Sequence, residues 1–511
     1  MSQSREPGPH GEEEVTGQVC QEDDLQDGQM REVAVADQKV LLVRIQGQFY
    51  AVGSQCSHYN APLIKGALVG DRVRCPFHGA CFSVKTGDIE EYPGLDCLPS
   101  YKVKLIFLRF SEMLLSKRVK EMCRMSPDIK QVVLLVGGGP ASLVCAETLR
   151  QNCFQGRIVI LTKDTLAPFD KPKLSKALNV DSGSILLRSA DFYQQYGIEV
   201  RTQTEVTNLA FCVVSRLSFC LSHISRPLSC PGSHLRGVKL LQSYEDAKEI
   251  HASCLGKKAV VVGASFIGME VASYLSDKAA SVALVGKTAF PYERSLGPEI
   301  GKMSMQMLEE QNVKFYMSDE VTEIRGEDGK VKEVVLKGGA ILEADVVIAG
   351  IGKAVNIYET QHFTSNNPRI TSVFIFQQFM RTSVAGIFSA GDVTSFPLSI
   401  RDDQRVHIGH WQMSQAQGRV AALNMLNKPT KIESVPFFWT VLLGKSIRYT
   451  GYGEGYTEII FKGSVEDRKF LAFYIKDGVA VAAASLMFDP AVARIAELMA
   501  NGQMVTKAQA Q

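Results

Sequence analysis

Short apolar runs punctuated by glycine fill residues 29 to 110: Val33 to Val35, Val40 to Ile45, Phe49 to Val52, Arg72 to Arg74 and Tyr101 to Phe107, with turns at Gly47, Gly70 and Gly87. Runs of this length bounded by turn residues predict strands, hence a small β domain. From Val132 the pattern changes. A continuous apolar strand, Val132 to Val136, leads into a glycine turn, a helix from Leu143 to Arg150 and a second strand from Ile158 to Leu161. The order repeats with strand Lys258 to Val262, a second glycine turn, helix Met269 to Leu275 and strand Ser281 to Val285. Buried strands alternating with helices predict parallel sheets. Asp345 to Ile351, followed by Gly352, then returns the chain to the first of these units, and Phe437 to Trp439, Arg448 to Gly453 and Phe470 to Tyr474 precede a last helix from Pro490 to Met499.

The fold class is therefore multidomain α/β plus β: a small β domain, two doubly wound dinucleotide-binding domains and a C-terminal α+β domain. The expected boundaries are a disordered tail at 1–28, the β domain at 29–110, a linker at 111–130, the first dinucleotide domain at 131–246 (211–235 atypical), the second at 247–352, the rest of the first at 353–430, and the C-terminal domain at 431–511. A chain of 511 residues has room for these units. Its 45% hydrophobic and 22% charged residues suit ordinary cores. A net charge of +2 gives no reason to expect nucleic acid as a partner. No apolar run reaches the roughly 18 residues of a membrane span. The first 28 residues are rich in Pro, Gly, Ser and acids (Glu12 to Glu14, Asp23, Asp24), which predicts disorder and fits neither an Arg-rich import signal nor an apolar export signal. Twelve cysteines without an export signal point to a reducing compartment, the cytosol by default.

Chemistry enters with Cys56-Ser57-His58 and Cys75-Pro76-Phe77-His78, separated by sixteen residues. Each motif offers one thiolate and one imidazole. In a Rieske centre two histidines replace two cysteines on one iron, and the spacing fits two loop tips closing on one cluster, Cys56 and Cys75 on one iron, His58 and His78 on the other. Two Cys and two His also suit tetrahedral zinc, but zinc fingers usually pair like with like. The CxH then CxxH order, with Pro76 and Gly79 beside it, resembles the Rieske family. Cys81 and Cys97 are read as small buried hydrophobes.

The turns Gly137-Gly138-Gly139-Pro140-Ala141-Ser142 and Gly263-Ala264-Ser265-Phe266-Ile267-Gly268 lie 126 residues apart. Such a turn between strand and helix lets backbone N–H groups and the helix N-terminus face a pyrophosphate, and the acid after the second strand, Asp164 in the first unit, suits a ribose. Two units predict two dinucleotides.

Further stretches carry a family resemblance. Pro168-Phe169-Asp170-Lys171-Pro172-Lys173-Leu174-Ser175-Lys176 resembles the P-Y-D-R-P-x-L-S-K stretch of ferredoxin-reductase-type flavoproteins, and Thr382 through Asp392 (TSVAGIFSAGD) resembles the motif closing their FAD site. Gly409-His410-Trp411 and Gln415 to Gly418 resemble the helix that follows. With the N-terminal Cys–His pairs, the chain resembles the Rieske-containing branch of the apoptosis-inducing-factor-like oxidoreductases. The resemblance implies FAD on Gly137, Gly139, Asp164, Lys171, Asp392 and Trp411, NAD(P)H on Gly263 and Gly268, a [2Fe–2S] cluster on Cys56, His58, Cys75 and His78, and a Lys176–Glu270 pair beside the flavin ring. It also implies an aromatic near the flavin face, with Trp439 the candidate and a core tryptophan the alternative. Family members are associated with mitochondria.

The implied activity is electron transfer from NAD(P)H through FAD to the Rieske cluster and on to an unknown acceptor, protein or small molecule; flavin converts the two-electron donor to single electrons. No CxxxxC follows the first glycine turn, as a disulfide reductase requires, and no 2-His-1-carboxylate iron site is recognisable. Two features depart from the pattern. The second turn carries Ser265 where glycine lets backbone approach pyrophosphate, and its second strand ends at Gly286-Lys287 rather than an acid. Loss of the ribose hydrogen bond costs roughly 1.5–3 kcal/mol, about ten- to 150-fold in affinity, so weak NADH binding with a lean towards NADPH through Lys287 is expected. Between Phe211 and Leu235 the chain is rich in Ser and Cys, without strand rhythm, which predicts poor packing and reduced FAD affinity. These departures favour an alternative from another class: a catalytically weak redox-sensing or apoptosis-signalling flavoprotein.

Overall fold

The computed structural model describes residues 3–7, 13–18, 21–35, 38–104, 107–111, 117–206, 216–219, 224–225, 227–351, 353–354, 379–382 and 385–511. The N-terminal unit pairs a seven-stranded antiparallel sheet with a four-stranded one, and the two Cys–His loops belong to its second half. Met30–Val35, Gln38–Ile45 and Gln48–Gly53 form its meander, and Ala67–Val69, Arg72–Arg74, Cys81–Ser83 and Ile89–Glu91 form the smaller sheet.

Two expectations change here. The tail is not structureless: Gln3–Pro7 and Glu13–Gln18 pair with each other, and Glu13–Gln18 pairs with Phe107–Ser111. Composition reports how much apolar surface can be buried, whereas a ladder needs only backbone donors and acceptors. The single strand expected at Tyr101 to Phe107 is a hairpin of Ser100–Lys104 and Phe107–Ser111.

The first dinucleotide unit is a five-stranded parallel sheet in the order Ile198–Arg201, Arg157–Leu161, Val132–Val136, Arg216–Phe219, Ile387–Ser389. A strand therefore does form inside the Ser- and Cys-rich segment, contrary to expectation, because a slot between two parallel neighbours recruits backbone whatever the side chains. The surrounding residues 207–215, 220–223 and 226 lie outside the described residues, as do Ser383 and Val384 of the FAD-closing motif. Helix Pro140–Gln151 packs on helix Trp411–Met425 at Gly418, where a Cβ would sit 2.3 Å from the Ala141 carbonyl oxygen. The second unit is likewise parallel, in the order Val238–Leu240, Val346–Ala349, Lys258–Val262, Ser281–Gly286, Lys314–Met317. The C-terminal unit is a five-stranded antiparallel sheet from Phe437–Leu442 to Val479–Leu486, with helix Ala491–Ala500 against it. Among the described residues no helix is long and apolar enough to cross a membrane.

A candidate cluster cradle beside two nucleotide cavities

The two Cys–His loops share one construction. Cys56 N–H donates to Ala61 O (2.8 Å) and Asn60 N–H to Cys56 O (2.9 Å); Cys75 N–H donates to Ala80 O (2.7 Å) and Gly79 N–H to Cys75 O (3.2 Å). Each loop turns at a residue of positive φ, Asn60 (55°) and Gly79 (83°). At Gly79 only glycine fits, since a Cβ would meet the Phe437 ring at 2.4 Å. Both thiols are buried and hydrogen-bonded to each other, and each sulfur accepts two backbone N–H groups, from His58 and Tyr59 on Cys56 and from Phe77 and His78 on Cys75. The hydrogen bond that Cys56 donates to Cys75 raises the Cys56 thiol; against its burial, that bond and the N–H groups lower Cys75. The two imidazoles stand edge to face with centroids 5.0 Å apart. Burial, then Lys117 and Lys173, brings His58 down to about 3, and burial first also holds His78 well below its ordinary value. Both rings are thus neutral, the form that binds metal.

The residues fit a two-iron cluster. His58 Nδ1 is buried without a hydrogen-bond partner, an atom in need of a ligand. The donors stand as a hydrogen-bonded thiol pair and an adjacent imidazole pair, the arrangement a two-iron Rieske site uses. Cys81 and Cys97 are buried apart from this set, Cys81 accepting from Arg72 Nε at 3.3 Å.

A cavity of about 390 Å³ adjoins the cradle, lined by Gly139, Lys171, Lys176, Glu270, Asp392, Trp411 and Trp439. The N-terminus of helix Pro140–Gln151 opens on it without a side-chain cap, which leaves amides for an anion and fits a flavin pyrophosphate. Gly137 (φ 106°) sets the turn behind it. Asp164 lies off the cavity and is tied to it by Lys171 Nζ at 3.1 Å. Asp392 accepts from Ser414 Oγ at 3.1 Å, and Gly391 N–H donates to Gln417 Oε1 at 2.7 Å. Glu270 is no solvated helix residue: it is 3% exposed and accepts from Lys176 Nζ (3.0 Å), Thr440 Oγ1 (2.7 Å) and Ser175 Oγ. One carboxylate thereby joins three units of the chain at this cavity. Ser175 stood in a recognisable motif, but nothing in the sequence marked Thr440.

A second cavity of about 650 Å³ is lined by Gly263, Ser265, Lys287, Thr288, Arg294, Glu320 and the end of the atypical segment, Leu228 to Cys230. Both cavities reach Ser265, so the two cavities meet there. Gly268 does not line the cleft; a Cβ on it would lie 1.9 Å from Gly263 O, so it lets the helix close on the turn. Gly286 has no room for an acid, since a Cβ would be 2.8 Å from both Ala264 Cβ and Met317 Cε. Lys287 lines the cleft but is paired with Glu320 at 2.5 Å.

Trp439, 5% exposed, joins the flavin cavity to the cradle. Its ring lies 4.5 Å from His78 and 6.0 Å from His58 between centroids, with His410 at 5.5 Å on the cavity side. The cradle is fastened by buried polar links that the sequence did not announce. Arg74 Nε donates to Glu497 at 2.5 Å, both buried; Arg188 bridges Asp96 (2.7 Å) and Glu147 (2.8 Å); Arg448 Nε donates to Phe77 O at 3.1 Å.

Comparison with known proteins agrees with this geometry. Residues 16–102 match the Rieske [2Fe-2S] domain family, residues 222–418 the pyridine nucleotide-disulphide oxidoreductase family, and residues 437–511 the reductase C-terminal family. The crystal structure of the covalent putidaredoxin reductase–putidaredoxin complex superposes with a TM-score of 0.68 at 25% identity, covering 73% of this chain and 94% of that one. Rubredoxin-NAD(+) reductase of Pseudomonas putida is 27% identical, covering 64% of this chain and 88% of its own. Apoptosis-inducing factor 3 of Homo sapiens is 43% identical, covering 98% of this chain and 86% of the human protein. An identity of that order from end to end, over a Rieske unit followed by two dinucleotide units and a reductase C-terminal unit, places the chain in the apoptosis-inducing factor 3 family of NAD(P)H-dependent flavoprotein oxidoreductases.

Proposed function

We propose that Cys56, His58, Cys75 and His78 hold the [2Fe–2S] cluster, that Gly137, Gly139, Asp164, Lys171, Asp392 and Trp411 hold FAD, and that Gly263 receives NAD(P)H with Gly268 shaping its turn. FAD held there would supply the conversion of a two-electron nicotinamide donor into single electrons that the cluster can accept. The chain's residues prepare that transfer. Lys176, kept in place by Glu270, presents an ammonium to the flavin cavity, where it offsets negative charge. Ser265 lines both cavities, so it would sit between a nicotinamide bound in one and a flavin bound in the other. Trp439 excludes water between the flavin cavity and the two imidazoles and supplies a continuous aromatic contact. The observation that carries this reading is the Trp439 ring in contact with His78 on one side and the cavity on the other.

Anaerobic addition of NAD(P)H to the purified holoprotein tests it: flavin absorbance bleaches and the EPR signal of a reduced Rieske centre follows. Bleaching without the signal overturns the path. Absence of bleaching supports the second reading, a redox-sensing protein with little turnover, which the crowded strand end at Gly286 favours. Because the strand itself ends at Gly286 and Lys287 lines the cleft beside it, NADPH is the proposed preference. The nine described cysteines are all free, which supports a reducing, cytoplasmic setting.

A further inference from the structure

The site of electron exit follows from how the cradle is held, and it rests on the electron-chain reading above. The inner side of the imidazole pair is closed by Trp439. Opening it would break the buried Arg74–Glu497 pair, the partly buried Arg188–Asp96 pair and the Gln415 Nε2 to Gly94 O bond (3.4 Å). Separating a buried ion pair exposes each partner to a large desolvation imbalance, so the cradle stays docked and electrons leave on another side. That side is visible. The Tyr59 ring stacks on His58 with centroids 4.0 Å apart and planes within 12°, and Tyr59 is 37% exposed. Its hydroxyl is pinned by Asp170 and its ring lies under Lys173 Nζ at 5.2 Å.

We propose that electrons leave over Tyr59, on a face that docks an acidic one-electron carrier protein. The charges around Tyr59 favour such a partner. Lys117 and Lys173 line the hollow beside Tyr59, and the Lys173 side chain is 35% exposed. Among the described residues lining the hollow the acids are turned inward, with the Asp96 side chain 16% exposed and held by Arg188, and that of Asp170 8% exposed and held by Tyr59 and, at 3.7 Å, by Lys173. A basic rim around an exposed aromatic steers an acidic partner. The adjoining hollow, of about 160 Å³, is smaller than the roughly 300–1,000 Å³ of small-molecule sites. That argues for surface docking over an enclosed acceptor. The balance is one NAD(P)H and two oxidised carriers giving NAD(P)⁺, one proton to solvent and two reduced carriers.

The test uses the full-length holoprotein and its Lys117→Glu/Lys173→Glu variant at low ionic strength. Cytochrome b5 serves as acidic carrier, cytochrome c as basic carrier and a short-chain quinone as small acceptor. Cytochrome b5 binding, measured by interferometry, should weaken about tenfold or more in the variant, with its reduction slowed to match. Cytochrome c should not lose affinity, and NAD(P)H should still induce the cluster EPR signal. Unaltered cytochrome b5 affinity beside a normal EPR signal would overturn the exit face while leaving the electron chain intact. Loss of quinone reduction alone would overturn it in favour of a small acceptor. No EPR signal even in the unsubstituted protein means that the electron-chain reading itself has failed.

Discussion

The two dinucleotide units are built alike and finished differently. Gly137 and Gly263 take the same positive-φ conformation, 106° and 116°, at the same place between strand and helix. The first unit then ends in an acid that Thr162 and Lys171 hold in position; Asp164 N–H donates to Thr162 Oγ1 at 3.1 Å and Lys171 Nζ to Asp164 at 3.1 Å. The second ends at a glycine packed against Ala264 and Met317, its carbonyl accepting from Asp319 N–H at 3.0 Å, with the exposed Lys287 and its partner Glu320 beside it. The turn fixes where a pyrophosphate goes, whereas the strand end decides how tightly and selectively a ribose is held. One unit is organised to retain its nucleotide and the other to exchange it, which suits a resident flavin beside a diffusing donor.

Substitutions can break this contrast or sharpen it. The largest effect is expected at Glu497→Gln, which leaves Arg74 buried without its charge partner: about 3–5 kcal/mol of stability, read as a lower denaturant midpoint. A stability unchanged from the unsubstituted protein would show that the cradle is not fastened there. Next is Glu270→Ala, which strips Ser175, Lys176 and Thr440 of their common acceptor. A loss of about 2–4 kcal/mol together with weaker flavin retention is expected, and retention as tight as in the parent would detach this carboxylate from the flavin site. Asp164→Ala should weaken FAD by about ten- to 150-fold, measured by flavin release on dilution, while NAD(P)H affinity stays put; equal losses at both sites would erase the contrast. The smallest effect is reserved for Lys287→Ala. Because Lys287 is 78% exposed and already paired, it should reduce a preference for NADPH by only about two- to fivefold, and equal or better turnover with NADH in the parent would remove that preference altogether.

What was legible in the sequence was local. The glycine turns, the Cys–His loops and the Pro168 to Lys176 stretch each carry their chemistry within a few residues, and the elements around them form as periodicity and turn residues dictate. What was not legible depends on separation. Arg74 meets Glu497 across 423 positions and Glu270 meets Thr440 across 170, and no pattern at either end announces the partner. The strand at Arg216–Phe219 shows the reverse limit, since its Ser- and Cys-rich neighbourhood hides a backbone that neighbouring strands capture. Trp439 stands out in the sequence as the candidate aromatic near the flavin face or as a core tryptophan; that it also touches the cradle is decided by how the C-terminal sheet packs against the N-terminal loops.

The account stands on Trp439 as the link between the flavin cavity and the cluster cradle. The direct test is stopped-flow reduction of the anaerobic holoprotein and its Trp439→Leu variant by NAD(P)H, following flavin and cluster absorbance separately. The account predicts flavin bleaching within about threefold of the parent and cluster reduction slowed about tenfold or more, a barrier change of at least about 1.4 kcal/mol. Cluster reduction at the parental rate in a folded, cluster-loaded variant would contradict it.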